Sequence, residues 1–151
     1  MGMMEIEGEY RLSAPRELVW ELLFDPTILR ASIPGCERLV EVRPGAYEIE
    51  MKVGIAAIRG AYAGRVAVAD LKRHESYRLV VDGSGAPGTT EGEATLTLSG
   101  DASTTVVRYR ASFSAQGGLA RLGGRLLTGS AAMLAGQFFK AIEKQVSQRV
   151  V

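Results

Sequence analysis

LARLGGRLLTGSAAMLAGQFFKAIEKQV, residues 119–146, is the stretch on which the fold of this chain turns. At about 100° per residue it places Leu119, Leu122, Leu126, Leu127, Met133, Leu134 and Phe138 on one broad arc, with Arg121, Arg125 and Glu143 facing away. A helix of this length extends about 40 Å, enough to cross a small domain. Gly123 and Ser130 fall near the middle of the arc, where a core helix ordinarily carries bulk. Glycine inside a helix costs about 0.8–1 kcal/mol relative to alanine. Room for a ligand between helix and sheet is one reason to keep it; close backbone packing is the other. Gln137 shares the arc, where an amide needs partners, so it either orients a ligand head group or bonds backbone.

Toward the N-terminus the period falls from 3.6 to 2. Ile6 to Leu12 alternates, with Ile6, Gly8, Tyr10 and Leu12 on one face and Glu7, Glu9 and Arg11 on the other, which predicts a strand. Pro15 and Asp25-Pro26 each suit a helix start and predict two short helices, stopped at Ile33-Pro34-Gly35. Strands are then expected at Cys36–Arg43, Tyr47–Ile55, about Ile58–Leu71, Tyr77–Asp82, about Glu93–Leu98 and about Thr105–Ala115. Pro44-Gly45, residues 72–76 and Gly100-Asp101 supply the turns, and Gly83–Gly88 is expected to be a loop. One strand, two short helices, six strands and a long helix make an α+β protein. Its antiparallel sheet needs a cover that only the last helix is long enough to give.

The totals narrow the function. With 151 residues, 46% apolar and 23% charged, the expectation is one globular domain over residues 1–151. A formal charge of +1 supplies no field that would draw the chain onto nucleic acid. A single cysteine makes neither an internal disulfide nor a multi-cysteine metal site, so no metal centre is expected and a reducing compartment fits. No segment reads as a signal peptide or a bilayer span, and the chain is expected to be soluble and cytoplasmic.

Catalytic equipment is scarce. His74, the only histidine, sits in a charged hairpin tip and is expected to be exposed. Cys36 reads as a small apolar residue. The strand acids Glu7, Glu9, Glu48 and Glu50 alternate outward, and Asp70 and Glu91 lie at strand ends. Gly83, Gly85 and Gly88 lack the Lys-Ser/Thr pair and following helix of a phosphate loop. No catalytic residue is assigned. The inward strand positions Met51, Val53, Tyr62, Val66, Leu96, Tyr109 and Phe113 suit either a greasy ligand or plain core packing. With Leu122, Leu126, Ser130, Met133 and Gln137 of the helix they form the candidate ligand site. Arg121 and Arg125, one turn apart on the outer helix face, are candidates for docking an acidic partner or anionic lipid head groups.

Several motifs carry a family likeness. Ile33-Pro34-Gly35-Cys36-Glu37, Tyr62-Ala63-Gly64, Asp70 with Ser76-Tyr77-Arg78-Leu79, the glycines 83, 85 and 88, Gly117-Gly118-Leu119-Ala120, Leu122-Gly123 and Phe138-Phe139 occur in an order that resembles the carbon monoxide dehydrogenase G-subunit family. That family lies within the START-like (SRPBCC) superfamily, and the likeness covers about residues 4–146. It implies a helix-grip fold: a curved seven-stranded antiparallel sheet wrapped around the long C-terminal helix, with two short helices between strands 1 and 2. It implies a non-catalytic accessory protein with an apolar cavity, serving a molybdenum-containing carbon monoxide dehydrogenase. The implied ligand is a quinone-type or other lipid, not covalently bound, and the implied placement is cytoplasmic or peripheral at the inner membrane face. The alternatives are a cyclase or aromatase of the same superfamily, or an interaction module without a ligand.

Overall fold

In the computed structural model, which describes residues 3–149, seven strands form one sheet in the order β1-β7-β6-β5-β4-β3-β2. They are β1 (Met4–Leu12), β2 (Cys36–Arg43), β3 (Ala46–Val53), β4 (Gly60–Lys72), β5 (Ser76–Gly85), β6 (Gly88–Gly100) and β7 (Thr105–Gln116). All neighbours pair antiparallel. Between β1 and β2 lie α1 (Arg16–Leu23) and α2 (Pro26–Ser32); α3 (Gly124–Arg149) follows β7. The expected α+β helix-grip architecture is the one found.

The short helices begin where their sequence says. Pro15 caps α1, whose first turn holds Glu17. The Asp25 carboxylate accepts from the Thr27 and Ile28 amides at 2.9 and 3.4 Å, with Pro26 in the first helical turn. Gly35 turns the chain out of α2 at φ +69°, its Cα packed on the Lys52 carbonyl, while its own carbonyl accepts from the Lys52 amide at 2.8 Å. The Ile33-Pro34-Gly35 motif therefore pins α2 to the end of β3, and a side chain at position 35 would collide with backbone.

Two expectations fail. Residues 83–88 are not a loop: β5 runs to Gly85 and β6 starts at Gly88, leaving Ala86-Pro87 as the tip. Glycine signals a break only when its conformation demands one, and Gly83 pairs with Thr90 as an ordinary ladder residue. Nor is the last element one helix. A 3₁₀ turn, Gly117–Leu122, comes first, and Gly123 at φ +83° separates it from α3.

The core falls into two parts. The larger is built around Leu12, Val19, Trp20, Leu22, Tyr77, Val107, Phe139 and Ile142, where α1, α2 and the C-terminal half of α3 meet the sheet. The smaller joins Ala115, Leu119 and Leu127, with Met4, Ile58, Tyr62, Phe113 and Leu122 packed against it. Between and beside these clusters lies the space described next.

Candidate ligand site

Alternation puts one face of every strand under the helices. Across the middle of the sheet that face reads Ile49, Gly64, Gly83, Thr90 and Ala115, each paired with the next. Two glycines, a threonine and an alanine leave a trough where other rows carry Tyr47, Val66 and Val81. Over the trough, α3 presents Leu127, Ser130, Ala131 and Leu134. The result is an outer hollow of about 310 Å³, closed at its end by Ile58, Tyr62 and Leu119.

A second, inner hollow of about 240 Å³ lies between α1–α2 and the sheet. Leu23, Phe24, Leu29 and Ile33 roof it, Leu39, Val66, Val68, Leu79 and Leu96 floor it, and Phe138 of α3 walls one side. A cleft of about 290 Å³ opens beside the outer hollow between α3 and the segment after β3. Pro34, Gly35, Lys52, Gly54, Ile55, Met133 and Gln137 line it, and it shares Val53 and Leu134 with the outer hollow.

The walls of the two hollows are mostly carbon. The Tyr62 hydroxyl donates to the Ile58 carbonyl at 2.6 Å, and the Thr90 hydroxyl donates to the Ser114 carbonyl at 2.8 Å, so neither needs a ligand partner. The Asp82 carboxylate turns to the outer sheet face, 3.3 Å from Arg65. Burial pushes the Tyr62 phenol up, and burial with the nearby Glu41 carboxylate pushes Tyr47 up. Tyr77, wholly buried beside the inner hollow, is pushed furthest, so these phenols stay protonated through the neutral range. Among the described residues no group of three or more His, Cys, Asp or Glu is placed to hold a metal.

The expected site residues divide. Met51, Val53, Tyr62, Phe113 and Ser130 line the outer hollow; Val66 and Leu96 line the inner one. Tyr109 lines neither. It stacks with Tyr10 and Phe139, ring centroids 6.3 and 5.9 Å away, over the space that Gly8 leaves for its ring. Leu122 packs in the smaller core cluster from the 3₁₀ turn. Leu126 and Met133 are each 52% exposed, and Gln137 is exposed, so none sits on the buried stripe. A single continuous helix would keep Leu119 and Leu122 in phase with the rest of the arc. Leu119 and Leu122 instead lie in the 3₁₀ turn before Gly123, out of register with α3, whose buried residues are Leu127, Ser130, Phe139, Ile142 and Val146. Met133 and Gln137 edge the side cleft.

The expected site omits Ile49, Ile58 and Val81 of the outer wall, and it leaves Leu119, Leu127 and Leu134 on the apolar arc without assigning them to the ligand. The signal for Ile49 is present, since it alternates in step with Tyr47 and Met51. Gly64 and Gly83 are not legible as neighbours, because only the pairing register brings them together. His74 also differs from expectation: it is half-buried, edge-on to Trp20 at 6.0 Å between centroids, with φ +67°. Cys36 is half-buried, its thiol donating weakly to the Arg38 carbonyl at 3.6 Å and pushed up chiefly by burial. Arg121 and Arg125 are exposed.

A family model described as the carbon monoxide dehydrogenase G subunit (CoxG) matches residues 8–147. Among solved structures, a conserved protein from Geobacillus kaustophilus is 34% identical, with a TM-score of 0.93 and 96% of each chain covered. The Zhui aromatase/cyclase from Streptomyces sp. R1128 is 18% identical, TM-score 0.75, covering 99% of this chain and 97% of its own. A START superfamily protein from Mycobacterium smegmatis is 13% identical, TM-score 0.78, covering 99% and 100%. The last two share the fold alone. No curated protein matches the chain. No described helix is long and apolar enough to cross a membrane.

Proposed function

The chain belongs to the carbon monoxide dehydrogenase G-subunit (CoxG) family, and from that premise we propose that it is a non-catalytic carrier holding a quinone-type or other lipid between sheet and helix for a molybdenum-containing dehydrogenase. One observation carries this reading: two adjoining hollows walled mostly by carbon, in which the Thr90 and Tyr62 hydroxyls of the outer wall are already committed to backbone carbonyls. Walls of this kind favour an apolar guest and give little to an ionic one.

A quinone-type lipid fits that donor set. Its long apolar tail suits the hollows, and its two ring carbonyls need only the few donors at the cleft, where Gln137 stands. When bound, such a group would accept or give up electrons; the residues here hold it, orient it and keep water from its tail. The cyclase reading, which the Streptomyces fold relative suggests, needs an acid–base pair reaching the guest. The buried phenols of Tyr47 and Tyr77, pushed upward, are poor bases near neutrality.

The exposed Arg121 and Arg125 give this end of the molecule a cationic edge for a partner's acidic face or anionic head groups. Reversing both to glutamate is expected to weaken sedimentation with phosphatidylglycerol vesicles, an attraction that added salt should also reduce.

The decisive experiment is a lipid extract of protein purified from its native source, analysed by mass spectrometry. It should contain one apolar molecule in stoichiometric amount, and purified protein should take up added menaquinone. Finding no such molecule and no uptake would remove the reading.

A further inference from the structure

We propose that Ile49 and Val81 form a neck between the two hollows, and that the guest is a flexible chain threaded through it rather than a rigid fused-ring molecule. The proposal deepens the carrier reading and rests on it. Ile49 and Val81 are the two side chains that line both hollows. They project from β3 and β5 on either side of β4, where Ile49 pairs with Gly64 and Val81 with Val66. Gly64 has no side chain, so a channel crosses the sheet face between them. Both neck residues are β-branched and hold narrow rotamer ranges, which makes the gap a fixed gauge rather than a soft gasket.

The inner hollow also asks for an occupant. Its walls offer carbon and the Tyr47 and Tyr77 phenols, so water gains little there, and empty apolar volume in a core destabilises in proportion to its size. A chain that bends at the neck fills both spaces. A rigid ring system sized for the outer hollow cannot enter the inner one. The polar end then stays at the cleft beside Gln137, which joins the outer hollow through Val53 and Leu134. Ile49 and Val81 are thus specificity-determining residues for chain length.

The test is a series of straight-chain alcohols, octanol to octadecanol, displacing anilinonaphthalene sulfonate from the full chain. In the wild type, affinity should climb by roughly fourfold per added methylene and continue past the length that fills the outer hollow. Val81→Phe, which plugs the neck, should stop the climb at that length, read as a break in the slope of log affinity against chain length. Leu79→Phe, which narrows the inner hollow away from the neck, should end the climb short of the wild-type length and serves if Val81→Phe does not fold. A wild type that stops climbing at the same length as either variant would overturn the neck while leaving the carrier reading standing. If no alcohol of any length binds, both fall together.

Discussion

Single positions set both the shape of the cavity and its tolerance. Gly123 stands at φ +83°, where an L side chain is strained although open space surrounds the Cα. Gly123→Ala should cost about 1–3 kcal/mol, read as a lower midpoint in urea. Gly64 and Gly83 are paired neighbours in the trough, yet they should answer differently. A methyl at Gly64 would overlap the Asp82 carbonyl, whereas one at Gly83 would meet the Thr90 methyl at 3.6 Å, an ordinary contact. Gly83→Ala should therefore fold normally and bind an apolar probe more weakly, while Gly64→Ala should lose stability. Ser130, 5% exposed and lining the outer hollow, gives a further test. Ser130→Leu should keep the fold and lower probe binding; a loss of roughly 1–3 kcal/mol with unchanged binding would mark a packed site instead.

At the level of elements, strands and short helices are readable because their signals are local. Alternation marks β1 and β3, turn residues bound the other strands, and β2 has the bounds the sequence predicts, Cys36–Arg43. Asp25-Pro26 announces α2, and Asp25→Ala should cost about 1 kcal/mol in denaturant, because two backbone amides lose their acceptor. The break before α3 is not readable in the same way. Gly123-Gly124 sits inside an unbroken apolar rhythm, and the rhythm alone does not tell a turn of 3₁₀ from a turn of α-helix. Without Leu119 and Leu122 in phase with it, α3 buries a narrower face, and Leu126, Met133 and Gln137 lie outside the hollow. Sequence pattern anticipates the cavity, but from the wrong side. Small residues on the helix suggest it, whereas much of the space comes from Gly64, Gly83 and Ala115 across the sheet. The inner hollow is illegible in sequence because its roof, Leu23 to Ile33, lies far along the chain from its Leu96 floor.

Taken whole, the molecule should fear alkali more than mild acid. Burial favours the neutral phenol of Tyr77 most, and of Tyr47, Tyr62 and Tyr109 as well. The folded chain then holds protons that the unfolded chain releases once pH passes about 10. This contribution to stability is complete below that pH and is lost as pH rises toward the folded-state values. Urea titrations at successive pH values should show a fall beginning near there, and Tyr77→Phe should make it shallower. The two-part core has a mechanical corollary. The end where the outer hollow closes is held by the small cluster around Leu119, with the Leu119 amide on the Pro87 carbonyl at 2.8 Å and the Tyr62 hydroxyl on the Ile58 carbonyl at 2.6 Å. Amide protons of that end should trade with deuterium long before those near Val107 and Ile142, so the outer hollow can breathe there while the rest stays shut.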